Sequence, residues 1–215
     1  MPSTAQSAQQ SALRVQTAEG TPLVITDITN TEPPVVSFSA GTDPVAGDIV
    51  RIAGVIGMTE INGRAFVVEN VSAGVSFDLK GANSTNYAPY ISDGTSTPIT
   101  LSKVGNVKDF DIQQDEASEI DVTNLDSTRK EFQIGLAGSW TASSNYDVDT
   151  ADIGQSEFEV AQDDGLERVF TLTLLGGSVF AGVGYVKSTS ASGSPDAVVS
   201  GTVNLRGTGQ PSWFV

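Results

Sequence analysis

The sequence contains neither cysteine nor histidine. Without cysteine there is no disulfide, no thiolate metal site and no thiol nucleophile, which fits folding in a reducing compartment. Without histidine the usual general base, the Ser-His-Asp triad and the commonest zinc ligand are lost together, which disfavours hydrolase and metalloenzyme chemistry. Positive charge is scarce as well: 11 Lys and Arg stand against 26 Asp and Glu, for a net charge of −15. Such a surface repels phosphate backbones, so tight nucleic-acid binding is not expected. Aromatic residues make up only 7%, and none cluster beside the acids as a sugar-binding cleft would require. No run approaches the ~18 consecutive apolar residues of a membrane-spanning helix. Met1 to Ser11 lacks the basic start and apolar run of a secretory signal, so neither export nor a membrane anchor is expected.

What is present suits a globular β protein. Hydrophobic residues are 39% and charged residues 17% of 215, enough for one generous β domain or for one domain carrying a second inside it. From Thr21 onward, short β-branched and aromatic runs are broken by Gly, Pro, Asn and Asp, the pattern of many short strands joined by turns. Phe170, Leu172 and Leu174 alternate with Thr171 and Thr173. Val199, Gly201, Val203 and Leu205 oppose Ser200, Thr202 and Asn204, and Phe132, Ile134 and Leu136 oppose Glu131 and Gln133. Each set predicts a strand with one face in the core. Phe110 and Ile112 likewise oppose Asp109, Asp111 and Gln113, giving a strand with an acidic outer face. Ala151, Gly154, Phe158 and Ala161 fall on one side of a helix expected over about 152–163, capped by Thr150 or Asp152 and closed by Gly165.

Residues 1–14 carry few large apolar side chains and are expected to form a flexible arm. Residues 31–98 read as an inserted small β module with turns at Asp43-Pro44, Asn62-Gly63 and Ser92-Asp93-Gly94. Val50 and Ile52 alternate there with Arg51 and Ala53, and Phe66, Val68, Val75, Phe77 and Leu79 supply the expected core. Residues 15–30 and 99–215 would then form the host domain.

Two stretches of that domain resemble a known family. EIDVTNLDSTRKEFQIGL (Glu119 to Leu136) resembles the pattern of the tail tube, or major tail, protein of long non-contractile-tailed bacteriophages: an acidic strand ending in Val-Thr, then Ser and a basic pair, then a second strand and a Gly-hydrophobic turn. DAVVSGTVNLRGTGQPSW (Asp196 to Trp213) is similar to the family's terminal strand. The resemblance implies a β-sandwich with one short helix, six copies forming a ring and stacked rings forming a tube. That tube surrounds a tape-measure protein, meets tail-tip and terminator proteins, and passes DNA into the host without binding it specifically. It implies a structural, non-enzymatic virion protein assembled in the host cytoplasm. GDIVRIAGVIGMTEINGRAF (Gly47 to Phe66), with Ser76 to Leu79 and Gly94-Thr95, resembles the β-barrel-like module known as the first catalytic cysteine half-domain of ubiquitin-activating enzymes. With no cysteine in this chain, ubiquitin chemistry is not implied, and the module is expected on the tube exterior.

The candidate site residues follow from both readings. Asp109, Asp111 and Asp121 are candidates to face a DNA-conducting lumen, against the plainer reading of a solvated face. Arg129, Lys130, Trp213 and Phe214 are candidates for subunit interfaces, and Lys103, Lys108 and Arg206 are further isolated cations suited to pairing with acids on neighbouring copies. The acids of residues 109–121 lack EF-hand spacing. Asp115, Glu119 and Asp121 are the nearest candidates for a carboxylate pair of the glycosidase type. Gly176-Gly177 reads as a hairpin turn rather than a phosphate loop, and neither it nor Gly182-x-Gly184 precedes a helix. No catalytic, cofactor or metal residue is assigned. The competing functional class is a β-rich adhesin or carbohydrate-binding module, which would be a monomer.

Overall fold

The structure, a computed structural model, describes residues 8–39 and 41–215. The short alternating runs form strands that join into one continuous twelve-stranded ladder, with a separate two-stranded pair beside it. One part of the ladder closes on itself. β2 (Leu23–Ile28), β3 (Val35–Phe38), β4 (Ile49–Ala53), β5 (Arg64–Ser72), β6 (Ser76–Leu79) and β7 (Thr95–Lys103) run in the order β2-β3-β6-β5-β4-β7. β7 pairs back onto β2 through Leu23↔Ser96 and Val24↔Thr95, making a six-stranded barrel. Alternation sends Ile25, Phe38, Ile52, Phe66, Val68, Phe77 and Leu79 into its interior, all buried. Burying each such side chain is worth about 1.5–3 kcal/mol. Asn62-Gly63 turns β4 into β5, with Gly63 at φ 75° and the Asn62 amide holding both backbone groups of Val55 at 2.9 Å.

The rest of the ladder stays open. β1 (Ala12–Glu19) lies between β7 and β12 (Arg168–Thr173), followed by β13 (Val179–Ser192), β14 (Ser200–Ser212), β11 (Trp140–Asp147) and β8 (Val107–Gln114). This sheet curls so that Leu13, Phe170 and Leu172 on one side share a core with Trp140, Ala142, Phe110, Ile112 and Leu205 on the other. Trp140 is its centre, with Phe180 edge-on at 5.3 Å and Phe170 at 6.5 Å. Gly182 and Gly207 lie against the indole, where a Cβ at either position would collide with it.

Helix α1 (Ile153–Asp164) covers this core. Asp152 caps its start by accepting from the Gln155 N–H at 2.8 Å, and Gly165 ends it in the left-handed region. Gly154, Phe158 and Ala161 are buried as the sequence predicts. Ala151 is exposed and precedes the helix, and Gln155 takes the inward position instead. Its amide donates to the Gly105 and Asp147 carbonyls and accepts from the Asp149 N–H, so burial there satisfies three backbone groups.

A third apolar cluster joins barrel and sheet. Ile49, Ala65, Val67 and Ile99 on the barrel exterior pack with Val169, Ala181 and Val183. Arg51 pairs with Glu167 across the same boundary, and the Ser212 hydroxyl donates to the Ala65 carbonyl at 3.0 Å.

Three sequence expectations are corrected here. Within the expected arm, residues 1–7 lie outside the described residues, but 12–14 are the start of β1, with Leu13 buried in the sheet core. The expected module boundaries at 31 and 98 are also too narrow. β2 contributes Leu23, Ile25 and Ile28 to the barrel interior, so it belongs to the barrel, and β7 serves both barrel and sheet. Finally, Phe132, Ile134 and Leu136 do not face a core. They are 54%, 77% and 87% exposed. The strand period is as expected, but among the described residues no second layer lies over the apolar face.

Candidate assembly surfaces

Two features of the curled sheet stand out. The first is its outer face. Side chains alternating away from the core on β8, β11, β14 and β13 form rows of hydroxyls, amides and a few carboxylates. Asp109, Asn145 and Thr202 share one row by register. The Thr202 hydroxyl donates to Asn145 Oδ1 at 2.6 Å, and Asn145 Nδ2 donates to Asp109 Oδ1 at 2.9 Å. The next row holds Asp111, Ser143, Asn204 and Ser188, with Asn204 Nδ2 donating to Ser188 Oγ at 3.1 Å and Gln113 to Asp111 at 2.6 Å. Donors and acceptors are thus largely spent on one another, leaving a wettable surface on which Lys187 is exposed near Asp111 and takes part in no ion pair among the described residues. β8 ends the ladder, and its second edge has no strand partner among the described residues.

The second feature is the hairpin of β9 (Glu119–Asp121) and β10 (Phe132–Ile134), which forms a two-stranded sheet of its own. Its register is Glu119↔Ile134, Ile120↔Gln133 and Asp121↔Phe132. Pairing continues outward through Val122 N–H to the Glu131 carbonyl at 3.0 Å and Ser118 N–H to Leu136 at 3.1 Å. Asn124 and Ser127 shape the tip by mutual bonds. Ile120 and Val122 on one face are exposed, as are Phe132, Ile134 and Leu136 on the other, with Leu125 at the tip. The polar side chains of Asp121, Thr123 and Ser127 add bonds to the backbone pairing, but a two-stranded hairpin with six exposed apolar side chains gains little from apolar burial within its own chain.

The candidate residues separate accordingly. Asp109 and Asp111 lie together on the outer face of β8, exposed. Asp121 lies on the hairpin instead, away from that face, where the Thr123 side chain and N–H lower its pKa. Asp115 is engaged with Arg206 at 2.7 Å and Lys108 with Asp147 at 2.5 Å, so these two cations are paired within the chain rather than left for a neighbour. Lys130 sits 3.9 Å from Asp121 and near the Phe132 ring, largely exposed, and Arg129 is exposed at the tip. Trp213 and Phe214, each 37% exposed, pack on Phe180 at 5.2 and 6.3 Å. Gly176-Gly177 forms the β12–β13 turn, with Gly177 at φ 86°. Gly182 and Gly184 lie inside β13, packed on Trp140 and on the β14 backbone, so neither glycine pair forms a phosphate loop. The hairpin's lack of a core contact could not be read from alternation, because period two shows which side chains share a face and not what covers it.

Between barrel and sheet runs a polar groove of about 570 Å³ lined by Arg51, Glu157, Glu167, Arg168 and Tyr185. Its two arginines are matched by acids of the chain, while Glu19 at its edge accepts, among the described residues, only from the Gln16 amide. Arg168 bonds Glu157 at 2.9 Å and Asp164 at 2.5 Å, and the Tyr185 hydroxyl donates to Glu167 at 3.1 Å, which raises its pKa.

No family model matches the chain, and no curated protein matches it. Among solved structures, it is similar to a chain from the tail of an empty GTA particle, computed with helical refinement in C6 symmetry. Identity is 21% over 54% of this chain and 87% of that one, with a TM-score of 0.45. A likeness of that extent carries no weight for function.

Proposed function

We propose that this chain is a structural subunit of a viral tail tube. Copies form six-fold rings that stack into a hollow tube, and the chain has no catalytic role. The observation that carries the reading is the β9–β10 hairpin: a folded element with apolar side chains on both faces and no core of its own needs another chain to cover it. The stretch that resembles the tail tube pattern, Glu119 to Leu136, is this same hairpin. The free edge of β8 offers a second contact, since pairing edge to edge in a closed ring removes exposed strand edges.

In this reading the outer face of β8, β11, β14 and β13 lines the lumen. Its hydroxyls, amides and the carboxylates of Asp109 and Asp111 let DNA pass while giving its phosphates little to hold. The barrel lies outside the tube. Tape-measure, tail-tip and terminator proteins are the further partners, and the virion tail is the location.

Negative-stain electron microscopy of the purified protein over a concentration and salt series tests the proposal. Hollow tubes are expected, growing more slowly at low ionic strength because every copy carries a charge of −15. Isolated rings would shift the role to a terminator-like ring. A monomer at all concentrations, with the hairpin cleaved by protease as freely as an unfolded loop, would overturn it.

A further inference from the structure

Cations are scarce in this chain, yet two of them stand side by side without an acid. Arg14 on β1 is directly opposite Lys103 on β7 in the strand register, so both side chains leave the same face of the ladder. Lys103 is exposed and Arg14 half-buried, and neither takes part in an ion pair among the described residues. Arg14 Nη1 donates to the Thr173 hydroxyl at 2.9 Å, a neutral partner that leaves its charge uncompensated. Like charges on directly opposed strand positions repel, and a chain with 26 acids brings none of them to this pair.

Arg14 also lines an open cleft of about 650 Å³ where the barrel meets the sheet. Apolar walls come from Ile49 on β4, from Pro98, Ile99 and Leu101 on β7, and from Val179 on β13. Leu101 is two residues before Lys103 and shares its face. Asp48 on the rim accepts from the Val45 N–H at 2.8 Å. The cleft thus joins an apolar floor to a cationic end, and cavities of ~300–1,000 Å³ have room for a whole small ligand or several side chains.

A surface of matching character lies on the β9–β10 hairpin. By register Glu119 is opposite Ile134 and Asp121 opposite Phe132, so one face carries two acids on β9 beside two exposed apolar side chains on β10. Asp121 is 3.9 Å from Lys130 of its own hairpin, whereas Glu119 takes part in no ion pair among the described residues. Apolar beside acidic on the hairpin complements apolar beside cationic in the cleft.

We infer that the cleft receives the β9–β10 hairpin of a second copy, with Ile134 against Leu101 and Glu119 against Arg14 and Lys103. The inference rests on the reading of the chain as a self-assembling tail subunit. It adds that the barrel, through β4 and β7, forms one wall of the contact between copies.

Because the chain has no cysteine, introduced thiols report that contact directly. Full-length Leu101→Cys and Ile134→Cys proteins, mixed and oxidised at assembling concentrations, are expected to give mixed disulfide dimers well in excess of the dimers that either variant gives alone. Lys103→Glu and Glu119→Lys, both at exposed positions, are each expected to raise the concentration needed for sedimentable assembly roughly three- to tenfold, and the double variant to recover most of that loss. Wild-type tubes without the mixed disulfide, or with a double variant no better than the single ones, overturn the docking site and leave the tail-tube reading standing. The mixed disulfide in a protein that forms no tubes upholds the docking site and overturns the tube. Neither tubes nor the disulfide overturns both.

Discussion

In the barrel every strand has a partner on both sides and the apolar side chains point into one interior, whereas the curled sheet stops at β8 and projects β9 and β10 beyond its own core. The two regions are built from the same kind of alternating sequence. What separates them is closure: a closed ladder satisfies itself, and an open one keeps an edge and an uncovered face for other molecules. The barrel thus has no open strand edge within it, and under the proposed function the sheet region is completed by neighbouring copies.

The contrast can be broken most forcefully from the barrel side. Phe77→Ala removes a ring that is fully buried beside Phe38 and is expected to cost about 3–5 kcal/mol. Both tryptophans, Trp140 and Trp213, belong to the sheet region, so fluorescence reports that region and far-UV circular dichroism reports the whole. Because β7 is shared and the apolar boundary cluster couples the two, both probes are expected to shift together in urea. Separate midpoints would show two independent units. On the sheet side, Gly182→Ala drives a methyl to 2.6 Å from the Trp140 ring and is expected to cost about 1–3 kcal/mol by overpacking, seen in the same denaturation curves.

Smaller effects sharpen the comparison at the helix. Asp152→Ala removes the cap and is expected to cost about 1 kcal/mol. At the other end, the Leu166 N–H first and then Arg168 hold the Asp164 carboxyl below its ordinary pKa. A folded value below the unfolded one means that this contribution is present above the unfolded pKa and lost as the pH falls through the folded one. Asp164→Asn is therefore expected to flatten the acid limb of the stability profile, measured as unfolding midpoints from about pH 5 to pH 2. Smallest for the fold is Ile134→Asp on the hairpin, expected to change stability by no more than about 0.5 kcal/mol. If the chain assembles as proposed, the same substitution is expected to abolish tube growth in sedimentation assays. A large loss of monomer stability instead would place Ile134 in a core and remove the distinction between the regions.

Much of this was legible in the residues. Asp152 and Gly165 mark the helix ends because capping is local chemistry, and the Phe110–Ile112 alternation places Asp109 and Asp111 outward because the strand period is fixed. Closure was not legible. Leu23 and Ile25 read as host-domain residues because nothing local to β2 announces that its partners are β3 and β7. Phe132 and Ile134 read as core for the complementary reason: alternation is the same whether the apolar face meets its own chain, another chain or water. Arg64 escaped notice because its burial over the Phe66 ring is set by the fold and not by anything local in the sequence.

The position of β1 also has a consequence in time. Arg14 Nη1 bonds the Thr173 hydroxyl 159 residues along the chain, while all six barrel strands lie between Leu23 and Lys103. During synthesis the barrel has its full complement of strands well before β12 and β13 emerge. Until they do, Ile49, Ala65, Val67 and Ile99 on its outer wall lack the partners they later acquire in Val169, Ala181 and Val183. A barrel that closes at this stage carries a bare apolar flank, and we expect that interval to favour capture by chaperones or by neighbouring copies.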